Sequence, residues 1–270
     1  MEAEMTGKKK PTVTYFLIIL NCLWWLIETA MTGGKSNVAI VGLAFGAQYT
    51  PLVMSGHPLE LVTSMFVHFG FDHLFGNMIV LYLIGSTLEP MIGHFRYAVI
   101  YLSSGLAGNL MTLVFDLNRS GTDSIKIAGG ASGAIFGIFG ALAATAIIDK
   151  KKTGTTLNPM TTFTSLVIIF VNSMGAGVNV LAHLFGALSG FIFGIITRDH
   201  DGNGNPDFLQ PDREFRLYSE EEYVPGAVEE ADRRAESMFE GSDMKSMSAI
   251  RRTFIIIAVI VFFITLLGSR

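Results

Sequence analysis

The chain has 270 residues, half of them hydrophobic (50%) and only 16% charged, with 29 glycines and 21 phenylalanines. That balance argues against a soluble globular domain and matches helices built for lipid. The formal net charge of −4 says little about partners, because the charges are very unevenly placed.

A bilayer core takes about 20 mostly apolar residues per helix. Seven segments meet this, at roughly 12–32, 73–92, 97–117, 131–149, 160–178, 180–197 and 253–268. Residues 1–11 form a short N-terminus ending in "GKKKP". No small-residue cleavage site follows the first apolar run, so that run reads as an anchor rather than a removed signal. Cys22, the single cysteine, lies inside it and has no partner for an intramolecular disulfide. It reads as lipid-facing or as packing filler. Residues 33–72 are too long for a turn and too apolar for a solvated loop. Within them "VAIVGLAFG" and "LELVTSMFVHFG" read as short elements embedded in the outer interface. Residues 73–197 form a block of five helices joined by short connections. The expected architecture is an all-α polytopic membrane protein, with a six-helix core over 12–197 and a seventh span at 253–268. Between them, 198–252 carries fourteen acidic residues and scattered Pro and Gly. It is expected to be a cytoplasmic linker with one helix near 226–240.

Basic residues set the orientation. With the N-terminus cytoplasmic and seven crossings, Lys8–Lys10, Arg96, Lys150–Lys152 and the eight basic residues from Arg198 to Arg252 fall inside. Lys35, Arg119, Lys126 and Arg270 fall outside. Fifteen against four favours this arrangement. It leaves the C-terminus external.

Polar side chains inside spans are costly and mark function by default. His73 and Asn77 are four residues apart and share one face of span 2. Ser132, in "GGASGAIFG", sits early in span 4, and His183, in "LAHLFGALSG", sits early in span 6. All three spans run from outside to inside in this topology, so the four residues share one shallow depth near the outer face. A hydroxyl, an imidazole and an amide at one level suit nucleophilic catalysis, with His183 taking the Ser132 proton. Asn77, His73 and the Ser132 N–H would face the oxyanion. Gly130 and Gly133 would let the backbone bend and a substrate chain approach. Each residue also has a plain structural role open to it. Membrane serines bond their own helix, and a lone histidine can hold helices together. Gly186, Gly190 and Gly194 form a small-residue stripe expected to bring span 6 close against span 4. His68 reads as interfacial, and His57, His94 and His200 as loop residues with no constellation. A soluble hydrolase elbow is excluded, because Ala134 stands where G-x-S-x-G needs its last glycine.

"GASGAIFG", the "HLFGN" of His73–Asn77, "AHLFGALSG" and "LEPMIGHFRYAVIYLSSGLAG" together resemble the rhomboid intramembrane serine proteases, over about residues 50–197. The resemblance implies a Ser132–His183 dyad without a catalytic aspartate, His73 and Asn77 as oxyanion stabilisers, and transmembrane proteins as substrates. It implies no cofactor, no metal and no nucleic-acid partner, with the lipid bilayer as the setting. Two departures stand out. Leu59-Glu60 replaces the Trp-Arg of many members, and Phe136 occupies a place where some carry tyrosine. A phenyl ring there can still stack on the histidine. A client-binding pseudoenzyme and a transporter are the competing classes. The intact dyad speaks against the first, and the missing carboxylate pair and midplane charges against the second. Finally, "DHDGNGNPDFLQ" follows the first nine positions of a calcium loop through Asp199, Asp201, Asn203, Gly204 and Asp207. Its twelfth position is Gln210, which has no bidentate carboxylate, and Pro206 is also out of place. A Gly/Asn-rich exit from the membrane is the plainer reading.

Overall fold

The chain is seen in a computed structural model that describes residues 10–34, 39–118, 127–149 and 179–197. Among these the structure is helical, with α1 (Thr12–Met31), α2 (Ala39–Ala44), α3 (Thr50–Met54), α4 (Glu60–Thr63), α5 (Phe71–Ile92), α6 (His94–Leu117), α7 (Ser132–Asp149) and α8 (Val180–Ile196). A 3₁₀ turn, Ser64–Phe66, follows α4. The expected spans at 160–178 and 253–268, the 198–252 linker and the Asp199–Asp207 segment lie outside the described residues.

α1, α5 and α6 are long and apolar enough to cross a membrane, and α7 and α8 are shorter apolar helices. Large apolar side chains cover the outside of these helices. Ile19, Leu26, Leu83, Leu117 and Ile196 are all more than half exposed. In water such a surface would aggregate, whereas lipid tails solvate it. The protein is therefore a multi-pass membrane protein. Its interior is correspondingly ordinary: Leu17, Met65, Leu81, Leu88, Tyr97, Ile100, Tyr101 and Ile138 are fully enclosed. Cys22 is partly buried against this core.

The corner between α5 and α6 is one residue wide. Gly93, at φ 86°, ends one helix and begins the next, a conformation costly for any residue with a Cβ. Just before it, Glu89 is fully buried and closes the opposite end of the bundle. Its carboxylate accepts the Val13 N–H (2.8 Å), the Thr14 N–H (2.7 Å) and the Thr14 hydroxyl (2.6 Å). Those first-turn amides have no partner within α1 itself, so a side chain from α5 caps it. His94 Nδ1 joins Glu89 Oε1 at 2.5 Å. His94 is thus not an isolated loop residue. It opens α6 and belongs to a buried polar junction.

The α7–α8 contact is made by backbone. A side-chain carbon added at Gly186 would collide with the Gly133 carbonyl, and one at Gly190 with the Gly137 carbonyl. At Gly194 it would come within 2.9 Å of the Ala141 Cα. The small-residue stripe therefore does what its spacing predicts, bringing two apolar helices close enough for main chain to touch main chain.

The first loop is folded into the protein rather than lying over it. Ala47, Met65, Val67 and His68 have essentially no exposure. α2 and α4 coincide with the two apolar stretches expected to form short elements, while α3 was unforeseen. The loop is stitched to the segment before α7. Gln48 and Ala128 exchange both backbone hydrogen bonds at 2.8 Å, and Gly130 N–H donates to the Ser64 carbonyl at 2.8 Å.

Candidate functional site

Ser132 is the first residue of α7. The first helical bond of α7 runs from the Ile135 N–H to the Ala131 carbonyl at 2.9 Å. The amides of Ser132, Gly133 and Ala134 therefore precede the helical ladder and point out of the helix end, where negative charge is favoured. His183 lies in the first turn of α8 and is buried. Its Nε2 is 2.8 Å from Ser132 Oγ, the separation proton transfer requires. The second ring nitrogen, Nδ1, is buried with no hydrogen-bond partner among the described residues. Phe136, one turn beyond Ser132, stacks on the imidazole with ring centroids 4.4 Å apart and planes 23° apart. A phenyl ring does supply that stack.

His73 and Asn77, both half-buried, lie over Gly130. A carbon placed on Gly130 would be 2.8 Å from His73 Cε1, 2.9 Å from His73 Nε2 and 3.7 Å from Asn77 Nδ2. Gly130 also has φ 128°, so both its backbone and the His73 ring against it require glycine. Asn77 Nδ2 is buried and donates to nothing among the described residues. An unspent buried donor over Gly130, two residues before Ser132, is costly in a resting protein and is the pattern expected where an anion forms transiently. All four sequence-predicted polar residues, with Gly130, thus gather where α5, α7 and α8 begin. Gly133 has a different place. It lies inside the first turn of α7, not at a bend, and its carbonyl is the surface on which Gly186 rests.

Sequence reasoning missed several members of this neighbourhood. His68 is not interfacial but completely buried. Its Nδ1 bonds the Phe66 carbonyl at 3.1 Å, which makes Nε2 the acceptor for the Ala131 N–H at 3.5 Å. Its ring stands edge-on to His73, with centroids 5.1 Å apart. Burial, followed by the neighbouring His73, pushes the His68 imidazole down to about 3, against the smaller opposing pull of the Phe66 carbonyl. The buried carboxyl of Glu28, on α1, points toward the His68 backbone without closing a hydrogen bond. A carboxyl or histidine near a span end looks like an interfacial anchor in sequence, and only the folding of the first loop encloses these two.

Because the folded protein holds His68 neutral, its contribution to stability is complete above about pH 6.5 and is lost as pH falls toward 3. The shift corresponds to up to about 5 kcal/mol. His68→Gln should therefore flatten the acid limb of a thermal-unfolding series in detergent. Identical acid limbs for the two proteins would remove His68 from this role.

The Rhomboid domain family matches residues 55–200, more than half of the chain. Rhomboid protease GluP of Bacillus subtilis (strain 168) is 33% identical over 196 residues, covering 70% of this chain and 36% of GluP. RHOMBOID-like protein 5 of Arabidopsis thaliana is 33% identical over 174 residues, or 62% of this chain and 53% of that protein. YdcA of the same Bacillus is 27% identical over 186 residues, covering 69% and 88%. The chain thus spans about a third of GluP and half of the Arabidopsis protein, but most of YdcA. The matched region contains Ser132, His183, His73 and Asn77 alike, and with it the chain belongs to the rhomboid family.

Proposed function

We propose that the chain is an intramembrane serine endopeptidase that cleaves transmembrane proteins near the outer membrane face. The observation that carries this reading is the 2.8 Å contact between Ser132 Oγ and His183 Nε2 in an otherwise apolar bundle. Ser132 Oγ attacks the scissile carbonyl while its proton passes to His183 Nε2. The carbonyl oxygen becomes an oxyanion, met by Asn77 Nδ2, His73 and the α7 amides. When the C–N bond breaks, His183 returns the proton to the leaving amine. A water then attacks the acyl carbon, giving its proton to His183; as the bond from that carbon to Ser132 Oγ breaks, His183 passes the proton to Oγ, and the free acid leaves. No step calls on a metal or a cofactor. Phe136 keeps the imidazole plane aimed at the serine through the cycle.

We propose further that it lies in the cell membrane with its N-terminus cytoplasmic and its C-terminus external. Support comes from the excess of basic residues on one side and from the site's position at the end of the bundle opposite the α1 N-terminus. The catalytic core is assigned to 12–197, followed by the acidic cytoplasmic linker and the seventh helix. Reporters fused after Arg198 and Arg270 should read cytoplasmic and external, and the reverse at both would invert the site. The chemical test is labelling of purified protein by a serine-directed fluorophosphonate. Label should appear on Ser132 and vanish in His183→Ala. Unlabelled wild-type protein would favour a binding protein that keeps the fold without the reaction.

A further inference from the structure

His183 occupies the part of a helix least able to hold itself in place. The first four amides of any helix lack helical acceptors, so the first turn frays before the rest. In α8 that turn carries the proposed base, and Asn179 stands directly before it. The Asn179 side-chain oxygen accepts the Ala182 N–H at 3.1 Å, and its backbone carbonyl accepts the His183 N–H at 3.3 Å. Asparagine is among the best residues for this capping geometry.

The cap is itself tied down. Asn179 Nδ2 donates to Thr112 Oγ1 on α6 at 2.9 Å, and that hydroxyl donates in turn to the Gly108 carbonyl at 2.9 Å. The Asn179 oxygen caps α8 and also lies 3.2 Å from the Thr112 hydroxyl, so both ends of the amide reach α6. Thr112 is buried. One turn away, Gly108 lets the α6 backbone meet the same α8 turn, since a carbon on it would lie 2.6 Å from the Ala182 carbonyl oxygen. The turn bearing His183 is therefore held from two sides: by α7 through Gly133 and Gly186, and by α6 through Gly108, Thr112 and Asn179. Neither Thr112 nor Asn179 touches Ser132.

We propose that Asn179, anchored by Thr112, is a positioning residue for His183 that sets the imidazole at transfer distance from Ser132. This rests on the reading of His183 as the base. A misplacement of about 1 Å at a reacting pair is enough to cost about 10²-fold in rate. A plain structural role would make any disturbance here an instability. A positioning role makes the loss selective and rescuable by variants that keep the capping oxygen and a hydrogen-bonded tie to position 112.

The test uses the full chain in detergent, with the rate of fluorophosphonate labelling, the thermal midpoint and amide hydrogen exchange over 180–184 measured for each variant. Asn179→Ala and Thr112→Val should each label about 10–100-fold more slowly, exchange about tenfold faster over that turn, and unfold within a few degrees of wild type. Thr112→Ser keeps the hydroxyl, and Asn179→Asp keeps the capping oxygen and can accept from the Thr112 hydroxyl in place of the lost amide donor, so both should recover most of both signals. The double variant Asn179→Ala, Thr112→Val should be no slower than Asn179→Ala alone, because both act through one chain of bonds. Wild-type labelling and exchange in Asn179→Ala would overturn the proposal. So would losses that track the thermal midpoint with no rescue by Asp or Ser. If the wild type takes no label, the protease reading fails by itself, and exchange over 180–184 still decides whether Asn179 and Thr112 hold the turn.

Discussion

Ser132→Ala should abolish cleavage of a transmembrane reporter substrate while leaving the protein folded and membrane-inserted. The hydroxyl stands where α7 and α8 begin, and its hydrogen bond to His183 Nε2 is its link to a base. Loss of either nucleophile or base in a soluble serine protease lowers turnover by about 10⁶. His183→Ala should match that loss, and the double variant should be no worse than either single one, because the two groups act in a single step. Ser132 contributes little to packing that alanine would not, so the thermal midpoint should barely move. Cleavage by Ser132→Ala protein at a comparable rate would defeat the mechanism.

Asn77→Ala should lower turnover by about 10–10³-fold, the range measured when one oxyanion donor is removed. Its Nδ2 is buried near Gly130 and unspent among the described residues, so removing that donor breaks no hydrogen bond among them. Stability should hold or rise slightly, since an unsatisfied buried donor is removed along with the amide. Fluorophosphonate labelling should persist at a reduced rate, because Ser132 and His183 stay paired. A variant that loses fold and labelling together would show that Asn77 supports the helix rather than the reaction.

Much of this site could be read from residue types in an apolar background. Ser132, His183, His73 and Asn77 stand out because lipid tolerates polar side chains only where they have a purpose. Among the described residues the five long helices, α1, α5, α6, α7 and α8, begin and end within a few residues of the spans drawn from hydropathy. What escaped were the polar contacts between segments that carry no motif. Glu89 looks like a residue at a cytoplasmic boundary until α1 presents two amides to it. Asn179 looks like the end of a loop until Thr112, 67 positions earlier, receives its amide. The burial of His68 follows from a first loop that folds inward, and hydropathy alone cannot separate that from a loop resting on the bilayer. α3 escaped for a related reason, since a five-residue helix has no periodicity to detect.

The glycine contacts between α7 and α8 also limit how this protein can fail. Gly133 meets Gly186, Gly137 meets Gly190 and Ala141 meets Gly194, with the same offset each time. The three contacts repeat every four residues, so sliding one helix along the other by a fraction of that repeat drives backbone into backbone. The next position that fits lies one full repeat away, about 6 Å along the axis. At that register Ser132 and His183 are far beyond proton-transfer range. The interface thus has no graded series of slightly misaligned states. A bulky substitution on the stripe excludes the native register, so it should abolish activity in every molecule rather than slow each of them a little.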